Sequence, residues 1–548
     1  MKKILCSLYL VLGMITFVHA QNKVGPITIT HGQEIEEDKE KIVRIAGEAN
    51  NKIYTLATKG KHFFVKVFGS DDMALQAVEK IDLDEFNGKD IDFDDIAVIN
   101  DKVYILGSVY DKKAKENNLF AFQVSEDGKV TSNRKSLFKT AVTKKRERGA
   151  FYFKDSPVGD QLLILHAALF DREEVIQYEI KLIDENLEVL ATHLEKVPFK
   201  DRFDLEFSIT DFDVNAKGDV FLAINESYRD RKAKKNIEKF EVHAFKVDNG
   251  YQKEVINIDF TNREVINSEL LATQDGKLHL VGFYSSVRKS GRANRKLKGV
   301  YAAVIEMSTN EVTNLKFNEF DLETKTKLIG ERRAKKGKDV APYYFTHSLI
   351  EKEDGGLILL SEYQLVIQGN SSGIGPLSMT PITYINNEII VTSLAPDGSV
   401  AWSNVIAKDQ RASFTVVSLG IFAFVNNGNF SVAAGIQVPL GVLGKGPEYL
   451  SAMPIYEDGQ LTVVFNDSRK NIGETNIDEV KRLGNYNKAM PTAFVFDNEG
   501  TITRMDQENY EDGQLVLRPR VYFRKSPKEY IIYSSRRSKD KLGRMFID

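Results

Sequence analysis

Along this chain a tight polar turn is followed, again and again, by a short run of apolar residues. The unit reads NKIYTL at Asn51–Leu56, DKVYIL at Asp101–Leu106, DQLLIL at Asp160–Leu165 and GDVFLA at Gly218–Ala223. It returns as GKLHLV at Gly276–Val281, GGLILL at Gly355–Leu360, GQLTVV at Gly459–Val464 and KEYIIY at Lys528–Tyr533. Runs this short, bounded by Gly, Asn and Asp, predict strands rather than helices. A second turn recurs within the units, at Asp127-Gly128, Asp184 to Asn186, Thr309-Asn310, Asp397-Gly398 and Glu499-Gly500. Asp-Gly and Asn-Gly pairs tolerate positive φ and close hairpins.

Each unit then has room for four strands. In the fourth they fall at Ser208–Asn215, Asp219–Glu226, Phe240–Val247 and Gln252–Ile258. Repeats of roughly 40 to 50 residues built only of strands and turns mark β-propellers. The expected fold is all-β: a single β-propeller of eight four-stranded blades, with seven as the alternative count and two separate β-sandwiches as the competing architecture. The blades are expected over residues 41–86, 90–138, 148–199, 206–260, 264–320, 343–408, 450–508 and 515–548, the whole domain spanning 21–548. The last unit ends after its third strand, and the N-terminal segment at 25–35 is expected to supply the fourth and close the ring. Two stretches, 363–387 and 412–444, carry no charge and read as insertions, the second as a hairpin, that pack on each other. Asn476 and Glu479 suit a capping box for a short helix from Ile477 to Leu483.

On blade periodicity the chain resembles secreted bacterial β-propellers over nearly all of 21–548. Trp402 is the only tryptophan, so the Trp-Asp signature of WD blades is missing, and the double glycine of kelch blades is not found. The resemblance therefore implies a fold and transfers no functional residue.

Composition adds a compartment. Lys2-Lys3, an apolar stretch from Ile4 to Val18 and small residues at Ala20 read as a secretory signal over 1–20. The expected location is periplasmic, cell-surface or extracellular. The sole cysteine, Cys6, lies in that signal, so thiol chemistry is not expected in the exported chain, and neither a metal nor a cofactor is. No other run is long and apolar enough to span a membrane as a helix.

With 75 basic against 78 acidic residues the chain has no bulk affinity for polyanions, so a charged site must come from the arrangement of charges. In an up-and-down blade the connections between second and third strands, and those between blades, share one face of the ring. These are the long connections here, and many are basic. They carry Arg229, Arg231, Lys232, Lys234 and Lys235 in blade four, Arg288, Lys289, Arg292, Arg295, Lys296 and Lys298 in blade five, and Arg536 and Arg537 in blade eight. Further basic clusters occupy 144–148 and 332–338. The expected partner is an anionic polysaccharide, lipopolysaccharide or an envelope protein. Nucleic acid is disfavoured because aromatic residues are not interleaved with the basic ones.

Catalytic signatures are faint. Gly369-Asn370-Ser371-Ser372-Gly373 matches a serine-hydrolase pattern but lies in a glycine-rich loop instead of a strand-turn-helix elbow. Asp211, Asp213 and Asn215 resemble part of a calcium loop without its bidentate glutamate. The main reading is a non-catalytic binding scaffold. The alternative is a carbohydrate-active enzyme, a polysaccharide lyase or glycosidase, with Tyr228, Tyr284 or Tyr533 at the mouth of the central channel.

Overall fold

Consecutive residues of the second strand of blade four are buried to opposite sides. Val220, Leu222 and Ile224 pack toward blade three, and Phe221 and Ala223 pack toward blade five. A sheet that is apolar on both faces is stable only between two neighbours, and this requirement organises the computed structural model. The structure describes residues 22–35, 40–142, 144–170, 173–198, 202–230, 236–287, 294–370, 379–417, 430–432, 443, 445–511, 514–536 and 539–548.

Eight antiparallel sheets follow one another along the chain. Their innermost strands are Lys41–Ala49, Asp92–Ile99, Ala150–Asp155, Arg202–Val214, Glu269–Ala272, Tyr344–Glu351, Ala452–Glu457 and Val516–Ser526. Blade five has a split first strand, since Arg263–Val265 and Glu269–Ala272 both pair with Lys277–Ser286. The core is divided in the same cyclic way. One apolar cluster fills each interface from blades one and two round to blades seven and eight, and an eighth joins Ile531, Tyr533 and Leu542 of blade eight to Ile42, Ile53 and Phe68 of blade one. The chain is an eight-bladed β-propeller.

Blade eight contributes Val516–Ser526, Glu529–Arg536 and Lys539–Ile547, and its fourth strand is Ile27–His31 from the other end of the chain. Ile27 faces Ile547 and His31 faces Gly543 in an antiparallel ladder, with Asn22–Val24 paired outside it. Val24, Ile27 and Ile29 are buried against Met453, Leu517 and Met545, so the strand joins the interface of blades seven and eight as well as completing a sheet.

Two features depart from the sequence reading. The segment from Ile477 to Leu483 does not form a helix. Its turns are organised by Asn471, whose side chain donates to Lys481 O at 2.8 Å and accepts from Lys481 N at 2.7 Å. Helices form instead in the connection from blade five to blade six, at α1 (Leu322–Ile329), N-capped by Asp321 onto Thr324 N, and α2 (Glu331–Lys335). None of the helices among the described residues is long and apolar enough to cross a membrane.

The uncharged stretches extend blade six. Its second strand runs to Gln368, its third is Met379–Leu394 and its fourth Val400–Val417. Ile382, Tyr384 and Val366 of one stretch meet Ala412 and Phe414 of the other in a satellite cluster completed by Leu450. Further on, Phe430–Val432 pairs in parallel with Phe207–Ile209, so the connection between blades six and seven reaches the inner edge of blade four. The rest of the expected hairpin, apart from residue 443, lies outside the described residues.

Ile27→Ala should cost about 2–5 kcal/mol, the range for truncating a buried isoleucine, measured by urea denaturation. A loss below about 0.5 kcal/mol, the range of ordinary surface substitutions, would mean that the strand does not hold the ring closed.

Candidate functional site

The repeated sequence unit fixes a common level on the innermost strands. In seven of the eight units the sixth residue pairs with a residue of the innermost strand, and around the ring these partners are Arg44, Asp95, Tyr152, Asp211, Glu269, Ser348 and Met453. Four of the seven carry acidic or basic side chains, on strands otherwise built for burial. Register shifts sit beside several of them, between Ile42 and Arg44, Phe93 and Asp95, Ile209 and Asp211, and Thr346 and Ser348. A bulge inserts one residue, bends the strand and re-aims the side chains around it.

Over blades one to five these side chains form a charged belt. Arg44 Nη1 lies 2.6 Å from both oxygens of Asp95, and Nη2 reaches Asp155 at 3.5 Å. Lys154 Nζ lies 3.5 Å from Asp213. Asp211 accepts from Phe212 N at 2.8 Å and Leu270 N at 2.7 Å. Lys154 and Asp155 have side chains 44% and 45% exposed, yet loss of hydration is the largest influence on the proton affinity of each. A group that water touches but protein surrounds lines a wet interior. Burial raises Asp211 to about 6 and raises Glu269 as well, and the neighbouring Asp211 charge raises Glu269 further, so the pair holds its protons more tightly than free carboxyls do.

The opposite sector, blades six to eight, is held by a buried ion pair. Glu362 and Lys408 are fully buried at 2.6 Å. Lys408 also donates to Asn386 O and Gln410 Oε1, both at 3.1 Å. Glu362 Oε2 accepts from Gln364 at 2.7 Å, Asn386 at 2.8 Å and Ser451 Oγ at 2.9 Å. Burial alone would push this carboxyl up, but Lys408, Arg520 and His347 outweigh it and hold it at about 2. Ser451, at φ +84°, bridges to the inner strand of blade six through His347 Nε2 at 3.1 Å. Arg520, on the inner strand of blade eight, stands 3.7 Å from Glu362 with 28% of its side chain exposed.

The basic loop residues are placed more unevenly. Arg229 and Lys296 are exposed. Arg295 pairs with Glu206 at 3.1 Å, Lys298 with Glu319 at 3.5 Å, and Arg536 donates to Gln514 O and Asn487 O. Arg231, Lys232, Lys234, Lys235, Arg288, Lys289, Arg292 and Arg537 lie outside the described residues. The fold does join two basic segments. Leu297 and Val340 exchange backbone hydrogen bonds at 3.0 and 3.1 Å, and Asn294 Nδ2 donates to Asp339 at 3.0 Å. That tie sets Lys296 beside the connection that carries Arg332, Arg333, Lys335, Lys336 and Lys338, all exposed.

The tyrosines of the catalytic alternative are not open at the mouth. Tyr533 is fully buried under Arg518, Tyr284 is buried with its ring edge-on to Phe317, and Tyr228 packs partly buried on the core between blades three and four. Ser371, Ser372 and Gly373 lie outside the described residues. Asp211 and Asp213 are strand residues of the charged belt, and Asn215 closes the following turn by accepting from Lys217 N and Asp219 N.

No family model matches this chain, and no curated protein does. Among solved structures it is similar to the polysaccharide lyase Uly1, at 10% identity over 85% of this chain and 94% of that one, with a TM-score of 0.34. It is also similar to the β-propeller domain of the Trilobed protease from Pyrococcus furiosus, at 9% identity over 70% and 94%, TM-score 0.31. A third is the endo-arabinase from Bacteroides thetaiotaomicron, at 10% identity over 47% and 93%, TM-score 0.22. No residue role is taken from any of them.

Lys408→Met should destabilise the protein by about 3–5 kcal/mol, because it leaves Glu362 buried and unpaired, and the double change Glu362→Leu/Lys408→Met should recover much of that loss. Denaturant titration of the two variants measures both. For the carboxyl pair, a folded pKa above the unfolded one means that the native state binds more protons, so stability falls as pH rises through about 4 to 6 and beyond. Between pH 5 and 8 the urea midpoint of Asp211→Asn should fall less than that of the parent.

Proposed function

We propose that the protein is an exported, non-catalytic binding scaffold whose long-loop face holds an anionic envelope polymer, an acidic polysaccharide or the saccharide of lipopolysaccharide. The supporting observation is the tie between Leu297 and Val340, which gathers the basic residues around Lys296 and those from Arg332 to Lys338 into one sector above blade five. Among the described residues, Lys335 is the one of these whose charge is countered at close range, by Glu331 at 2.5 Å. Exposed charge of one sign, concentrated on one rim of a chain of nearly balanced composition, attracts polyanions by a mechanism that salt screens. The undescribed basic residues of blades four, five and eight, and Arg229 and Arg536, would enlarge the same face.

A second reading, a carbohydrate-active enzyme, is favoured by one observation, the proton-sharing carboxyls Asp211 and Glu269 on the channel wall. Neighbouring carboxyls of unequal proton affinity suit general acid–base work. Against it, Phe207–Ile209, just above Asp211 on the same strand, is covered by Phe430–Val432. Release of reducing ends from acidic or neutral glycans, abolished in Glu269→Gln, would establish it.

For the scaffold, the purified protein should bind immobilised lipopolysaccharide or polyuronate at low ionic strength and release it as salt rises. Lys296→Glu/Arg332→Glu/Arg333→Glu should weaken that binding about tenfold or more, the equivalent of about 1.4 kcal/mol, at unchanged melting temperature. Absence of binding at low salt would overturn the proposal.

A further inference from the structure

Blade four is the one blade, among the described residues, whose innermost strand is paired on both edges. Its inner edge, which in the other blades borders the channel, carries Phe430–Val432 in parallel register. Phe207 stands beside Phe430, Ser208 beside Ser431 and Ile209 beside Val432. The blade does not need this strand to be complete. Arg202–Val214 already meets Val220–Asp230 through ten register pairs, and Lys253–Ile258 supplies the fourth strand.

A parallel strand runs with its neighbour, and Arg202–Val214 runs from the long-loop face toward the turn at Asn215. Phe430–Val432 therefore enters the channel from the long-loop mouth and points down its wall. The pairing stops where a register shift between Ile209 and Asp211 bends the strand, as bulges end regular ladders. Asp211 follows Ile209 by two residues, about 7 Å along a strand, so the pairing ends directly above the carboxyls of Asp211 and Glu269. The anchors on either side lie on other blades: the outer strand of blade six ends at Val417, and the short turn Pro447–Tyr449 leads into the innermost strand of blade seven. A connection fixed to blades six and seven at its ends and to blade four between them reaches across the mouth. Residues 418–429 and 433–442 lie outside the described residues.

We propose that Phe430–Val432 is a releasable strap that closes the long-loop mouth of the channel over Asp211 and Glu269, so that an occupant of that wall must first displace it. The pairing is three residues long, against ten pairs on the other edge of the same strand, so little is lost when it opens. From Ala412 to Gly444, between Arg411 and Lys445, the sequence carries no charge. No ion pair therefore locks the connection to a wall that bears Lys154, Asp211, Asp213 and Glu269. A strand edge with open N–H and C=O groups is a template for any extended chain, and here a segment of the protein itself occupies it. The strap belongs to the channel and stands independently of the basic rim.

Cysteine pairing tests the placement, and labelling tests the closure. Both use the full chain carrying Cys6→Ser, which is then free of cysteine. Neighbouring strands lie about 4.7–4.9 Å apart, within the span of a disulfide. Ser208→Cys/Ser431→Cys should therefore form an intramolecular disulfide on mild oxidation. Ser348→Cys/Ser431→Cys, with its first cysteine on the innermost strand of blade six, should not. Absence of the first disulfide, or formation of both to the same extent, would overturn the proposal. For closure, Phe430→Gly/Ser431→Pro/Val432→Gly breaks the strap, since proline removes a ladder donor. A cysteine placed by Asp211→Cys should react with a bulky maleimide about tenfold faster in the broken strap than beneath the intact one, as expected when a local opening limits access, at unchanged melting temperature. Equal labelling rates would overturn the closure, and a marked fall in melting temperature would make the segment a fixed part of the fold and not a strap.

Discussion

The structure depends on one constraint: every blade is apolar on both faces, so no blade can be an end. In a sandwich the outer faces are polar and the stack stops. Here Ile53 and Ala57 pack toward blade eight while Tyr54 and Leu56, on the same strand, pack toward blade two. A linear array of such sheets would expose two apolar faces, and burying one isoleucine or phenylalanine side chain is worth about 1.5–3 kcal/mol. Closing the ring is the only arrangement that covers all of them. It also explains why the chain ends are joined. Blade eight without Ile27–His31 would leave the long strand Lys539–Ile547 as an open edge, a template for pairing with another chain.

Closure leaves the innermost strand edges around a central space, and the polar chemistry collects there. An inner strand has apolar neighbours on both sides and water along one edge, so a side chain placed there must be re-aimed to reach the water. The bulges beside Arg44, Asp95, Asp211 and Ser348 meet that need. The same geometry makes unpaired charge expensive, and the charges accordingly occur as matched sets: Arg44 with Asp95 and Asp155, Lys154 with Asp213, Lys408 with Glu362. A buried pair such as Lys408 and Glu362 is weak evidence of stability, because apolar residues of similar volume would serve as well. Its contacts nevertheless tie strands of blade six to Ser451 of blade seven, and it stands behind Arg520 of blade eight.

How much of this was legible in the sequence depends on the range of the interaction. The second strands were readable, because a turn followed by consecutive apolar residues is local and buried on both faces. The missing outer strand was readable by counting, since three strands in the last unit leave one vacancy and Ile27–Thr30 has the right alternation. The capping-box reading at Asn476 failed because Asn471 satisfies the local backbone in another way, while α1, capped by Asp321, lies just before a run noted only for its basic residues. The channel belt was not readable. Asp211 and Asp213 were read as the end of a strand entering a turn that resembles part of a calcium loop, and their charge partners were missed because Lys154 and Glu269 come from neighbouring blades. Arg520 carried no signal at all. It looks like an ordinary strand residue until the ring brings blade eight up to Glu362 of blade six.

The distribution of charge on the two sides of the channel bears on how a polyanion would meet this protein. The wall over blades two to five carries Asp95, Asp155, Asp211, Asp213 and Glu269 against Lys154, with Arg44 reaching in from blade one. A saccharide chain attracted to the basic rim above blade five would therefore meet repulsion if it turned down that side, a repulsion that falls as Asp211 and Glu269 take up protons. Over blades six to eight the sign changes, since Glu362 is neutralised by Lys408 and the exposed group is Arg520. In the proposed reading the rim gathers the polymer without regard to its sequence, as exposed charge does. That attraction is screened at a Debye length of about 8 Å in physiological salt, so it holds a polymer along the rim and does not draw it down the acidic side of the channel.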